Sequence, residues 1–178
     1  MGTRDQALNA SVELLGTQGI RALTHGRVDA AAGLPKGSAS NHFRTRADLL
    51  HAVVDHLVAT EQHTFAAEGP PQNVDDLVAS LSTFIREATG PQRTLTAARL
   101  ALFTEAFHDP EVRAVLAAGR SQVESAAARV LETLGFPQPF ATARRVLTQV
   151  DGAILHHLAF GPDAGPEEVE ASLRACLT

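Results

Sequence analysis

The sequence contains no tryptophan or tyrosine, one cysteine, one methionine and a single lysine. The lone thiol, Cys176, cannot close an internal disulfide or build a paired-cysteine zinc site, so nothing here requires an oxidising compartment. Aromatic residues make up only 4% of the chain, and no stretch alternates apolar and polar residues between turn signals, which argues against a sheet. No uninterrupted apolar run approaches the roughly 18 residues of a spanning helix, and Met1-Gly2-Thr3-Arg4-Asp5 lacks an apolar signal core. The expectation is a soluble cytoplasmic protein with no membrane partner. The motifs His-Glu-x-x-His and Gly-x-Ser-x-Gly are missing, as are glycine-rich phosphate loops, which leaves no constellation for an enzyme and no cofactor to expect. Arginine outnumbers Lys36 fourteen to one, a bias that fits GC-rich coding and a bacterial source.

What is present suits helices. The 178 residues are 44% hydrophobic, enough for one large domain or a small one joined to a larger one. Leu, Ala, Glu, Arg and Gln dominate, so the fold class is all-α, with about nine helices. Leu8, Val12 and Leu15 recur at helical spacing over Asp5 to Gln18, and Gly19 follows as a stop. Thr24 is placed to cap a short second helix that ends at Gly33, and Leu34-Pro35 opens a third through Phe43. Thr45 with Asp48 three residues on starts a long fourth helix, which the break Glu68-Gly69-Pro70-Pro71-Gln72-Asn73 ends. Five further helices are expected at roughly 74–89, 92–108, 111–135, 138–160 and 166–177, separated by Gly-Pro and Asp-Pro pairs and by Gly161-Pro162. Asp109-Pro110-Glu111 reads as a cap, a first-turn proline and an acidic first turn.

Charge divides the chain unevenly. Residues 1–46 hold six basic side chains against three acidic ones, a balance of +3, and the remainder carries −8. A basic front on an acidic body suits an anionic polymer bound at one end. That front contains two short helices around Gly33-Leu34, with Ala31, Ala32 and Gly37 small enough for close approach. This is helix-turn-helix spacing, or else an ordinary helical hairpin with a solvated face. The second helix exposes Lys36, Ser38, Ser40, Asn41 and His42, which can reach phosphates or base edges. Thr24, Arg27, Gly37, Arg44 and Arg46 complete the candidate DNA face.

The residues Ala10-Ser11-Val12-Glu13-Leu14-Leu15, Gly19-Ile20, Leu23-Thr24, Ala32-Gly33-Leu34, Lys36-Gly37-Ser38, His42-Phe43 and Asp48-Leu49-Leu50 stand in the order and spacing of the TetR family of bacterial transcriptional regulators, which this front resembles. The resemblance implies a helix-turn-helix DNA-binding domain over 1–46 and a ligand-binding and dimerisation domain over 47–178, joined by the helix 47–67. It also implies a homodimer that represses from double-stranded operator DNA and is released by a small-molecule inducer. Three departures stand out. Pro35 takes the place of a capping Ser or Thr, Ser40 that of an aromatic, and Val28-Asp29 that of an Ile-Ala pair, putting a carboxylate near the DNA side.

In the body, the stretch 92–108 is apolar nearly all round and is expected to be buried on several sides. Phe84, Phe103 and Phe107, with Arg99, Glu105, Gln122 and Gln149 as orienting groups, could line a cavity for a small apolar or amphipathic effector, or simply form core. Val146, Val150, Ile154 and Leu158 with Val169 and Leu173 form an apolar strip wide enough to serve a two-fold dimer. Glu105 and His108 share a helical face as in di-iron bundles, but such a site needs two copies of the pair and only one is found. His51 and His56 do not converge on one ion. No metal site is expected. The alternative function is a helical ligand-binding or metal-binding bundle with no role on DNA.

Overall fold

Asp109 illustrates how helices begin in this chain. Its Oδ1 accepts from the N–H groups of Glu111 at 2.8 Å and Val112 at 3.3 Å, while Pro110 takes the first helical position, where a missing N–H costs nothing. The structure, a computed structural model, describes residues 2–66, 69–161 and 165–177. Among them are α1 (Thr3–Gln18), α2 (His25–Ala31), α3 (Ser38–His42), α4 (Arg46–Ala66), α5 (Val74–Thr89), α6 (Arg93–Glu105), α7 (Pro110–Thr133), α8 (Pro139–Phe160) and α9 (Pro166–Ala175), with one 3₁₀ turn at Ile20–Ala22. No strand occurs among the described residues, as the composition implied. Glu68 and Pro162, at two of the expected breaks, lie outside the described residues.

The local start signals act as expected. Thr24 Oγ1 accepts from the Arg27 N–H, and Thr45 and Asp48 exchange bonds of 2.9 and 3.0 Å at the head of α4. A cap not anticipated is Asn73, whose Oδ1 takes the Asp76 N–H at 2.9 Å and starts α5. Two helices are shorter than expected. The α3 helix begins at Ser38, not at Pro35, because Lys36 and Gly37 form a turn with Gly37 at φ +93°. The α6 helix stops at Glu105, and Ala106 to His108 continue as turns.

Met1–Thr60 with Arg93–Gly119 form one compact unit, and Glu61–Gln92 with Arg120–Thr178 form the other. In the first unit α1 packs most extensively on α6 and also touches α2 and α3. Gly16 permits the α1–α6 crossing, since a Cβ there would overlap the Thr94 carbonyl oxygen. Leu8, Leu15, Leu23, Val28, Leu49, Leu50 and Val53 fill this core. The stretch expected to be buried on several sides buries only Thr96, Ala98 and Leu102 within α6.

In the second unit α5 lies against α8 and α9. Val146, Val150, Ile154 and Leu173, expected on a dimer face, are 5, 3, 0 and 0% exposed in its core, and Leu158 and Val169 pack partly buried against them. The reason is geometric. Residues 143, 146, 150 and 154 form one helical row that can face only one way, and here that row faces the core with Leu77, Leu81 and Ile85 of α5. The outward row of α8 holds Ala141, Thr148, Leu155 and Ala159 instead, with Leu155 half exposed.

Candidate nucleic-acid interface and effector cavity

Every expected DNA-face residue lies in the first unit. Thr24, Arg27, Lys36, Ser40, Asn41, His42, Arg44 and Arg46 are exposed, while Gly37 and Ser38 are half-buried. The α3 helix is only five residues long, so its orientation has to come from its surroundings. Ala39, fully buried, seats it from below. His25 Nε2 donates to the Phe43 carbonyl at 2.6 Å, which ties the first residue of α2 to the end of α3 and fixes the His25 tautomer. Phe43 is buried, and the Arg4 guanidinium lies over its ring at 5.6 Å.

The flagged carboxylate, Asp29, does not face outward. It is 4% exposed, and its two oxygens accept from the N–H groups of Gly37 and Ala39, each at 2.7 Å. The expected role of the small residues also changes. Ala31 is exposed, and a side chain at Gly33 would meet nothing, so Gly33 and Gly37 are there for their left-handed turns, at φ +64° and +93°, not for close approach. The Ser38 and Ser40 hydroxyls donate to the Pro35 and Gly37 carbonyls at 2.6 and 2.9 Å. With its proton so used, each serine oxygen keeps acceptor lone pairs, which suit amino groups on base edges. Lys36, Arg44 and Arg46 remain as exposed cations, while Arg27 also donates to Gln18 Oε1.

The second unit holds an open-sided cavity of about 310 Å³. Its wall is apolar, with Leu77, Leu81 and Phe84 from α5, Val123, Ala127 and Val130 from α7, and Leu147 and Val150 from α8; Glu61 and Gln62 are its polar residues. Phe84 is therefore the one expected cavity residue found here. Gln149 lines a second, more polar hollow of about 520 Å³ with Gly152, His156, His157, Glu168 and Ser172, and it donates to Ser172 Oγ at 3.2 Å. Gln122 is exposed. Arg99, Phe103, Glu105 and Phe107 belong to the first unit, where the Arg99 guanidinium lies 5.8 Å from the Phe103 ring centre and Phe107 is 72% exposed. Glu61 and Gln62 escaped notice because no periodic pattern marks the residues that happen to border a void.

In the second unit, α7 and α8 are joined by the ion pairs Arg120–Asp151 at 2.8 Å and Arg144–Glu124 at 3.2 Å, and Arg120 and Glu124 also pair within α7 at 3.2 Å. Burial pushes the Glu124 carboxyl up, but the bonds from Arg144 and Arg120 outweigh it and hold the group below its ordinary value. In the first unit, burial lowers the His56 imidazole, helped by Arg4 and opposed by Asp5, and its Nε2 meets Asn9 Oδ1 at 2.9 Å. Among the described residues, no three His, Cys, Asp or Glu side chains are grouped to hold a metal, and no helix is long and apolar enough to cross a membrane.

Residues 7–53 match the bacterial regulatory proteins of the tetR family, and residues 72–178 match the tetracyclin repressor-like C-terminal domain. Among solved structures, a TetR-family member from Streptomyces coelicolor A3 is 25% identical at a TM-score of 0.80, covering 100% of this chain and 99% of that one. The multidrug binding protein EbrR complexed with ethidium is 25% identical at a TM-score of 0.76, covering 99% of each chain. A transcriptional regulator from Saccharomonospora viridis in complex with choline, 16% identical, shares the fold at a TM-score of 0.73 over 97% of this chain and 93% of that one. No curated protein matches the chain.

Proposed function

Because the chain belongs to the tetR family of bacterial regulatory proteins, and is thus a transcriptional regulator, we propose that it is a cytoplasmic, non-enzymatic repressor that grips operator DNA as a homodimer and lets go when a small effector fills the 310 Å³ cavity. The observation that carries this reading is the outward polar face of α3 and the turn before it, with Lys36, Ser40, Asn41 and His42 exposed on the net-basic N-terminal part of the chain. One five-residue helix reads few base pairs, and two-fold copies on successive major grooves, roughly 34 Å apart, supply the missing affinity and specificity. In functional terms, residues 1–46 read DNA and residues 47–178 bind the effector and the second copy.

The two-fold contact is assigned to the outward row of α8, Ala141, Thr148, Leu155 and Ala159, with Leu158 and Val169 at its margin. Val146, Val150, Ile154 and Leu173 support that row from inside the core. The effector is apolar or amphipathic, since Glu61 and Gln62 are the polar residues of a hydrocarbon wall. Ethidium on EbrR and choline on the Saccharomonospora protein, both cations, favour an amphipathic cation.

An effector acts only if it prefers the conformation that does not hold DNA. The test is calorimetry of benzyltrimethylammonium, with neutral toluene as control, on the full-length protein with and without a duplex carrying the promoter beside its gene. Tighter binding to the free protein is expected. Equal affinity in both states, or no duplex binding at all, contradicts the proposal.

A further inference from the structure

We infer that Asp29 is the positioning residue of the DNA-reading helix, and that from α2 its carboxylate supplies the N-terminal cap that α3 lacks in its own sequence. The inference rests on the proposal that α3 reads DNA. A local cap needs a side-chain oxygen just ahead of the helix. Gly37, in that position, has no side chain, and Pro35 offers neither a side-chain acceptor nor an N–H. The Ser38 and Ser40 hydroxyls point the wrong way for capping, since they donate to carbonyls of the turn. The Gly37 and Ala39 amides would be left without an acceptor, were it not for the buried Asp29 carboxylate that takes both at 2.7 Å. The left-handed Gly37 brings the two amides to one carboxylate. Hydrogen bonds to an ionised acceptor are the stronger kind, and a five-residue helix has little else to hold its direction. Asp29 thus acts on DNA without touching it, by aiming Asn41 and Lys36.

Positioning and simple charge repulsion predict opposite signs. A carboxylate that merely repelled phosphates would, once removed, leave every duplex bound more tightly. One that aims α3 would, once removed, cost the selected sequence and leave non-specific binding alone.

The experiment measures binding of the full-length protein and its variants to a duplex enriched from a random pool by the wild type, and to an unselected duplex. Asp29→Ala should weaken the selected duplex by about tenfold, with the unselected one within about twofold and the salt slope unchanged. Asp29→Asn keeps one acceptor and should fall between wild type and Asp29→Ala. Asp29→Ala combined with Pro35→Ser places a local hydroxyl within reach of the Gly37 amide but not of the Ala39 amide, and should recover part of the loss. Should Asp29→Ala fail to fold by circular dichroism, Asp29→Asn alone and with Pro35→Ser is read in the same way. Equal losses on both duplexes, a gain on either, or no recovery with Pro35→Ser overturns the inference.

Discussion

Replacing Ile154 with alanine separates the two uses that the apolar strip of α8 could have. The side chain is 0% exposed and packs with Val146, Val150 and Leu173 in the core of the second unit. Three carbon atoms are lost. Their transfer alone is worth about 0.8 kcal/mol each, and the void they leave raises the total to about 2–5 kcal/mol. For a chain of this length 1 kcal/mol moves the melting temperature by about 2–4 °C, so a fall of about 4–20 °C is expected. Leu155, one residue on and half exposed, is the control. Leu155→Ala should cost the protomer only about 1 kcal/mol yet weaken self-association, because its exposed half is what a second copy would cover. Thermal melts by circular dichroism at two protein concentrations, with sedimentation equilibrium on the same samples, read both effects. An Ile154→Ala protein that melts like wild type but sediments as a monomer would place that side chain against a partner and refute the reasoning.

On DNA, Lys36→Ala should reduce the salt slope by roughly two units, one for each copy in the dimer, with equal losses on all sequences, whereas Asn41→Ala should keep the slope and relax base preference; mobility shifts over a salt series decide this, and unchanged binding in both variants removes α3 from the interface. Because Glu124 titrates below its ordinary 4.5 in the folded chain, its contribution is present above that value and is lost as pH falls through the lower folded one. Melting temperature should therefore fall more steeply below pH 4.5 in wild type than in Glu124→Gln, and parallel curves would deny the ion pairs that role. Ala126→Phe puts a ring into the apolar wall and should abolish calorimetric binding of benzyltrimethylammonium while leaving duplex binding within about twofold, and unaltered calorimetry would move the effector site elsewhere.

The helix starts were legible where the cap is local. Thr24, Thr45 with Asp48, and Asp109 each stand within three residues of the amide they satisfy. The start of α3 was not, because its acceptor sits on Asp29, eight and ten residues back on another helix, and Pro35 mimicked a first-turn proline. Sequence spacing showed that α8 is apolar over a wide arc, but the half that faces inward depends on where α5 and α9 lie. Hence Ile154, expected on an outer face, lies in the core, while Leu155 beside it is half exposed. The cavity was legible only through Phe84, since a void is made by helices that fail to meet. Large aromatics were a poor guide to it, as exposed Phe107 shows.

The most direct test of α3 as a reader of duplex DNA is the salt dependence of binding by the full-length protein to a duplex enriched from a random pool. Arg27, Lys36, Arg44 and Arg46 are exposed on each head, so a dimer offers eight cations. If each of these neutralises a phosphate, log affinity should fall against log salt with a slope of about −7, and the enriched duplex should be preferred over an unselected one by about a thousandfold or more. A slope near zero, or a pool that yields no enriched sequence, would contradict the assignment of this face to DNA.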